Sequence, residues 1–126
     1  MRVIIRSLYS NPPVNPGLIV ARVLSNKEYY NRWVEELKAV ADRIIQVRSL
    51  LKNELERINC PGNWDHITKQ IGMFSYTGLN EQQCDILIKK YHVYLLKNGR
   101  ISLCGITTSN VSYLAEAIKD AITSTK

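Results

Sequence analysis

The longest hydrophobic pattern in the chain runs through residues 26–58. Its apolar side chains recur every seven residues, and others fill intermediate positions of the same stripe: Tyr30, Leu37, Ile44, Leu51 and Ile58, with Trp33, Val40 and Val47 between them. This period predicts one long amphipathic helix with a single buried face. Ser25-Asn26 supplies an N-cap and Pro61 marks the end. A coiled coil would show the same spacing, but the strands and the helix that follow favour packing onto a sheet.

Two shorter apolar runs precede this helix. Residues 3–5 are β-branched and predict a strand, which ends at residues 10–13, where two prolines restrict the backbone. Residues 18–24 are compatible with a short helix. The chain is therefore expected to enter the long helix through a strand, a proline-rich turn and a short helix.

A connector, a strand and a capped helix follow the long helix. Residues 63–66 predict an irregular or short helical connector, with Trp64 as a core anchor and His66 as a hydrogen-bonded surface residue. Residues 71–76 predict a strand, and Asn80 caps the next helix. No nucleophile is placed beside His66 by this pattern.

The last third of the chain predicts a hairpin and a final helix. Residues 93–96 and 101–103 flank Asn98-Gly99, which is typical of a two-residue hairpin turn. The final helix begins near Thr108. Together these elements predict an α/β fold, a sandwich in which the long helix and the C-terminal helix pack on a small sheet.

Length and composition indicate a single compact domain. The chain has 126 residues, of which 45% are hydrophobic, enough for one core. No stretch approaches about 18 uninterrupted apolar residues, and the first ten residues are strand-like and do not follow the pattern of a signal segment. We therefore expect a soluble, cytoplasmic protein with no membrane association.

The cysteines and histidines do not indicate a metal site. Cys60, Cys84 and Cys104 form no CxxC pair and leave one thiol over in any disulfide scheme, which suits a reducing compartment. They are interpreted as small apolar fillers. His66 and His92 do not complete a zinc-like spacing.

The net charge suggests a nucleic-acid-binding protein, but the distribution of the charges argues against it. Seventeen Lys and Arg against eleven Asp and Glu give a net charge of +6. Residues 26–58 hold seven basic and six acidic residues, so the long helix carries a mixed surface and no basic stripe. An anionic small-molecule substrate would use the remaining charge equally well, and we expect no nucleic-acid partner.

Two arginines are the candidate functional residues. The sequence has no Gly-rich phosphate loop, paired-His helix motif or nucleophile elbow. Arg6 lies in an apolar strand and Arg100 follows a tight turn into a strand that should be largely buried. A guanidinium binds a carboxylate bidentately, so two of them would suit a dicarboxylate. The alternative, judged by spacing alone, is that Arg100 faces water or pairs with an acid.

A family resemblance favours the first interpretation. Five blocks of the sequence resemble, in order and in spacing, the C-terminal part of the aspartate aminotransferase family. The wording is closer to the cytosolic form than to the mitochondrial one. The blocks are RSLYSNPP at 6–13, ADRI at 41–44, NWDHIT at 63–68, QIGMFSYTGL at 70–79 and NGRISLCGITT at 98–108. These blocks extend over essentially the whole chain. Five collinear matches are a specific signal.

The resemblance implies a function and a role for each site residue. The family is a fold-type I, pyridoxal-phosphate-dependent enzyme that transfers an amino group between aspartate and 2-oxoglutarate, and it is a homodimer. It implies that Arg100 holds the substrate α-carboxylate and that Arg6 reaches the neighbouring subunit's site to hold the distal carboxylate. It further implies that Phe74 lines the substrate cleft, and that Ser10 and Asn11 lie beside the partner's site.

The resemblance also implies a domain assignment and shows departures. Residues 1–17 correspond to the remnant of the large cofactor-binding domain and its connecting segment, and residues 18–126 to the small C-terminal domain. NPGL at residues 15–18 stands where the family usually has a Gly-Ala-Arg run. None of the nine lysines stands in the context of the Schiff-base lysine, which is expected upstream of this chain.

Three interpretations of the function of this chain remain. In a complete enzyme the chain would contribute substrate recognition, and the 126-residue chain alone would be inactive. The alternative is an inert fragment or paralogue that acts as a protein-interaction module through exposed apolar surface. A basic nucleic-acid binder is a weaker third possibility.

Overall fold

The computed structural model describes residues 13–125. The chain divides into two compact units, residues 1–39 and 40–126. The strand predicted at residues 3–5 and the turn predicted at residues 10–12 lie outside the described residues. Among those described, no helix combines the length and the apolar character of a membrane span.

The first unit contains helix α1 and the start of helix α2. Helix α1 spans Val14–Ser25 and follows Pro13, so it begins four residues before the predicted position. Proline is tolerated in a first helical turn because that turn's N–H groups have no intrahelical acceptor, which allows Pro16 to lie inside it. Asn26 caps α2 as predicted, since its Oδ1 accepts the N–H groups of Glu28 and Tyr29 at 3.0 and 3.1 Å.

Helix α2 spans Lys27–Arg57, 31 residues, and confirms the single long helix. Its predicted buried face is confirmed only in the C-terminal half, where Val47, Leu51 and Leu55 are buried. Tyr30 and Leu37 are 43% and 51% exposed. The expectation of one continuous buried face is therefore wrong for the described residues, because a helical stripe is buried only where another element packs against it.

The second unit continues with short elements. These are α3 at Asp65–Lys69, β1 at Phe74–Tyr76, α4 at Glu81–Tyr91, β2 at Arg100–Ser102, a 3-10 turn at Leu103–Gly105, and α5 at Val111–Thr123. Asn80 begins α4 with a capping box, in which its side chain and that of Gln83 each accept the other's backbone N–H, at 2.9 and 3.0 Å. This confirms the predicted cap.

The sheet corrects the hairpin prediction. β2 pairs antiparallel with β1, with Tyr76 opposite Arg100. A tight turn forms here, but it is not the predicted two-residue turn. Gly99 N–H donates to the Leu96 carbonyl at 2.9 Å and Leu96 N–H donates to that of Arg100 at 3.0 Å, so the loop has three residues, Lys97-Asn98-Gly99, with Gly99 at positive φ. Residues 93–96 form no strand beyond this contact. Strand pairing is decided by packing and by the distant partner, which a local turn signal does not report.

One hydrophobic core joins the C-terminal half of α2 to α4, β2 and α5. Its largest fully buried side chains are Leu51, Leu55, Ile67, Leu87, Leu103 and Ile118. Trp64 is buried as predicted, and Cys60 and Cys84 fill core positions. Cys104 is exposed, so its reading as a core filler is wrong. The arrangement is α/β, helix-rich with a small two-stranded sheet.

Candidate functional site

The outward face of the two-stranded sheet carries the candidate site. Side chains alternate across a strand, so Ser75 and Ile101 are buried while their neighbours in β1 and β2 are exposed. Phe74 and Arg100 therefore lie on one face, as diagonal neighbours across the strand pair. Diagonal pairs are within reach of aromatic and long side chains.

The Arg100 guanidinium stacks on the ring of Phe74. Its Cζ lies 3.9 Å from the ring centroid, well inside the range of a cation–π contact, which contributes roughly 0.5–1 kcal/mol at an exposed site. A guanidinium can stack on an aromatic face and still bind a carboxylate through its N–H groups. The sequence alone placed Arg100 after a turn, and only the family resemblance indicated Phe74.

The backbone at Arg100 is held by the turn that precedes it. Thr77 donates both its backbone N–H and its hydroxyl to the Gly99 carbonyl, at 2.9 and 2.8 Å. Asn98 Oδ1 accepts the Arg100 N–H at 3.2 Å. Thr77 is itself buried. The Cα of Arg100 is thus fixed by two neighbours, while its side chain projects outward.

An open, largely apolar cleft of about 450 Å³ surrounds this stack, and its lining residues are Phe74, Tyr94, Leu95, Leu96, Arg100 and Ser102. Across residues 13–125, no carboxylate pairs with the Arg100 guanidinium. The expectation that Arg100 sits in a largely buried strand is wrong, since only Ile101 of β2 is buried. A free, oriented guanidinium in an apolar cleft is suited to binding a carboxylate.

The other predicted site residues are not described. Arg6, Ser10 and Asn11 lie outside residues 13–125, so the structure brings together Arg100 and Phe74 and does not place the rest. His66 is a half-buried residue whose Nδ1 lies 3.1 Å from the Asn63 carbonyl. That contact agrees with the predicted hydrogen-bonded role.

Sequence reasoning missed Arg48. This α2 residue is 3% exposed, and its guanidinium donates to the carbonyls of Ile67, Gly72 and Phe74 at 2.6, 2.7 and 2.7 Å. Burial lowers the pKa of the Arg48 guanidinium. Its position between Val47 and Leu51, on the buried stripe of α2, is the sequence signal that marks it.

Three of the described lysines pair with acidic side chains. Hydrogen bonds to Asp65, Asp120 and Glu81 raise the pKa of Lys52, Lys90 and Lys97 respectively. A raised pKa keeps an amine protonated, and a protonated amine is not a nucleophile. No lysine lines the cleft around Arg100. Among the same described residues, no group of three or more His, Cys, Asp or Glu could hold a metal ion.

Known proteins resemble this chain along nearly its whole length. The family described as aminotransferase class I and II matches residues 1–118. The cytoplasmic aspartate aminotransferase of Gallus gallus is 46% identical over 123 residues, which cover 98% of this chain and 30% of that protein. Relatives named as mitochondrial aspartate aminotransferases match as well.

Solved structures give the same result. The aspartate aminotransferase from the cytoplasm of Saccharomyces cerevisiae superposes with a TM-score of 0.92 at 40% identity, covering 98% of this chain and 30% of that one. The aromatic-amino-acid aminotransferase of Burkholderia pseudomallei, solved covalently bound to pyridoxal phosphate, superposes with a TM-score of 0.87 at 38% identity, covering 94% and 30%.

This chain spans about 30% of the length of these relatives. Its α/β arrangement is that of the fold-type I aminotransferases that it superposes on. The match over residues 1–118 of 126 extends through every element described above except the last turns of α5. On this sequence match and this shared fold, the chain belongs to the class I and II aminotransferase family.

Proposed function

We propose that this chain supplies substrate-carboxylate recognition to an aspartate aminotransferase, which transfers an amino group between L-aspartate and 2-oxoglutarate. The observation that carries the proposal is the Arg100 guanidinium, stacked on Phe74 and without an acidic partner in the described structure. The aspartate aminotransferases among the relatives support the choice of substrate.

The two arginines divide the recognition of a dicarboxylate. Arg100 binds the α-carboxylate, which every amino acid has. Arg6, with Ser10 and Asn11 beside it, acts at the site of the neighbouring subunit in a homodimer and binds the distal carboxylate. Each contact is a charge-assisted pair, so a substrate lacking one carboxylate leaves a guanidinium unsatisfied.

Pyridoxal phosphate is the cofactor of the complete enzyme in this proposal. When bound, it supplies the electron sink for amino-group transfer. This proposal assigns the Schiff-base role to no lysine of this chain and places that amine in the part of the enzyme that this chain does not span. In the same proposal residues 1–17 belong to the large domain, residues 18–126 to the small domain, and the enzyme acts in the cytoplasm.

Substrate specificity of two variants tests the division of roles. The test uses a complete enzyme, that is, a full-length aspartate aminotransferase whose matching segment has the sequence of these 126 residues. In it, Arg100→Ala should lower kcat/KM about 100-fold or more for dicarboxylate and monocarboxylate amino acids alike, because the α-carboxylate contact is common to both. Arg6→Ala should lower kcat/KM for aspartate and leave alanine turnover nearly unchanged.

The same preparation separates this proposal from its rivals. Equal losses from both variants on both substrate classes would contradict the division of roles. The isolated chain should show no aspartate-dependent turnover, and measurable turnover by the purified chain would show that it holds a complete site.

A second candidate, a protein-interaction module, is favoured by the exposed apolar residues of the first unit. Leu18, Ile19, Leu24, Trp33 and Leu37 are each more than 40% exposed, which is typical of surface that another element covers. This candidate predicts concentration-dependent self-association of the isolated chain, which sedimentation velocity measures, and equal assembly with and without pyridoxal phosphate.

A further inference from the structure

The edge of β1 that faces away from β2 is covered by two side chains. Hydrogen bonds alternate between the two edges of a strand. Thr77 N–H bonds to Gly99 on the β2 side, and the Phe74 and Tyr76 carbonyls lie on the outer side. Arg48 Nη2 donates to the Phe74 carbonyl at 2.7 Å. Gln70 Nε2 donates to the Tyr76 carbonyl at 3.2 Å, and Gln70 Oε1 accepts the Tyr76 N–H at 2.9 Å.

Arg48 ties this edge to two other segments. The same guanidinium donates to Ile67 in α3 and to Gly72 in the loop before β1, at 2.6 and 2.7 Å. No acidic side chain of the described residues pairs with it, so the dipoles of these three carbonyls stabilise its buried positive charge. Only a planar fork with several donors reaches all three carbonyls, which a lysine ammonium cannot do.

The strand held in this way carries the ring under Arg100. Phe74 lies on the exposed face of β1, and the Arg100 guanidinium lies 3.9 Å from its ring centroid. A strand of three residues has few ladder bonds of its own, so its outer edge depends on Arg48 and Gln70. A shift of β1 moves the ring away from the guanidinium.

We propose that Arg48 and Gln70 are positioning residues for carboxylate binding, holding the outer edge of β1 so that Phe74 orients Arg100. The proposal rests on the proposed function, because it takes Arg100 as the carboxylate ligand. Neither residue touches the substrate. Loss of either one loosens the orientation of the Arg100 guanidinium and leaves its charge in place. The contact between this guanidinium and the substrate carboxylate is made equally in the ground state and the transition state. Weakening it therefore raises KM more than it lowers kcat.

The ring itself provides the first readout. Phe74 is the single phenylalanine of this chain, so 4-fluorophenylalanine gives one ¹⁹F resonance for the folded protein. Arg100→Ala removes the stacked cation and should shift that resonance. Arg48→Lys and Gln70→Met should shift it in the same direction, because they let the ring leave the guanidinium.

Kinetics of the complete enzyme provide the second readout. Arg48→Lys and Gln70→Met should raise KM for aspartate, and the inhibition constant for succinate, by about tenfold, with kcat within about twofold of the parent. Lys119→Met is the matched control, since Lys119 Nζ also donates to a backbone carbonyl, that of Ile58 at 2.6 Å, away from the sheet. It should lower Tm and leave the ¹⁹F resonance, KM and the succinate constant unchanged.

The results distinguish failure of the positioning proposal from failure of the proposed function. If Arg48→Lys and Gln70→Met lower Tm as the control does and leave KM and the resonance unchanged, their role is structural only and the positioning proposal is overturned. If Arg100→Ala itself leaves KM and succinate inhibition unchanged, the proposed function fails and this proposal fails with it. Gln70→Met keeps the test decisive should Arg48→Lys fail to fold, because Gln70 is only half-buried.

Discussion

At the scale of single residues, the backbone conformation of Gly99 fixes the position of the Arg100 backbone. Its φ of +84° belongs to the left-handed region, and a Cβ there would lie 3.0 Å from the Leu79 carbonyl oxygen and 3.1 Å from Thr77 Oγ1. The Thr77 hydroxyl also donates to the Gly99 carbonyl at 2.8 Å and so helps to hold the Arg100 backbone. A side chain at residue 99 would therefore push on the site as well as strain the turn.

Gly78 offers a matched comparison for this effect. Its φ is +79°, and a Cβ there meets nothing within 4 Å. Gly78→Ala should lower the free energy of unfolding by about 1–2 kcal/mol, the cost of a left-handed alanine. Gly99→Ala should lose a further 1–3 kcal/mol or so from the steric contact. Urea unfolding measures both, and equal losses would show that the contact at residue 99 relaxes without cost.

At the scale of secondary structure elements, Glu54 joins α2 to α5. Its carboxylate accepts hydrogen bonds from Arg57 in the same helix, at 2.8 and 2.9 Å, and from the Ser112 hydroxyl of α5 at 2.6 Å. These bonds, that of Arg57 first, lower the pKa of Glu54 to about 2 from its ordinary 4.5. The unfolded chain therefore binds a proton to this group at a higher pH than the folded chain does.

Stability should accordingly depend on pH through Glu54. Its contribution is present above pH 4.5 and is lost as the pH falls toward 2, because the unfolded state takes up the proton first. Glu54→Gln should flatten the fall of Tm between pH 4.5 and pH 2. Glu36→Gln removes the exposed pair with Arg32 and is the control, because such pairs contribute little. A parent and an E54Q variant with parallel Tm profiles would contradict the assigned role.

Elements fixed by local chemistry could be predicted from the sequence. The Asn26 and Asn80 caps depend on neighbours within three residues, and the structure has both. A turn also forms at the predicted place, but as the three-residue loop Lys97-Asn98-Gly99 and not as a two-residue turn. The partner of β2 could not be predicted, because it lies 26 residues away in β1. The buried face of α2 was predicted to be longer than it is for the same reason. An apolar stripe shows which side of a helix can be buried, but it does not show where along the helix another element packs.

The candidate site divides in the same way. The sequence indicated Arg100 by its turn, but the pairing with Phe74 needed the family resemblance. Arg48 was missed because its partners are backbone carbonyls 19 to 26 residues away, and carbonyls have no sequence signature. An arginine on a buried helical stripe is the signal that would have marked it.

At the scale of the whole molecule, the proposed function gives this chain one half of a dicarboxylate-binding site. Arg100 and its supports lie in residues 40–126 and are complete within that unit. In the proposed enzyme, Arg6 acts at the neighbouring subunit's site and the cofactor amine comes from the part that this chain does not span. Carboxylate binding at Arg100 is therefore what the proposed function requires of this chain.

The position of a bound dicarboxylate tests this claim most directly. In a crystal structure of the complete enzyme with succinate, which has no amino group to transfer, one carboxylate should accept two parallel N–H bonds from Arg100 at about 2.7–2.9 Å. The guanidinium should remain stacked on Phe74, and the second carboxylate should contact Arg6 of the neighbouring subunit. Succinate bound elsewhere, with the Arg100 guanidinium facing solvent, would contradict the assignment.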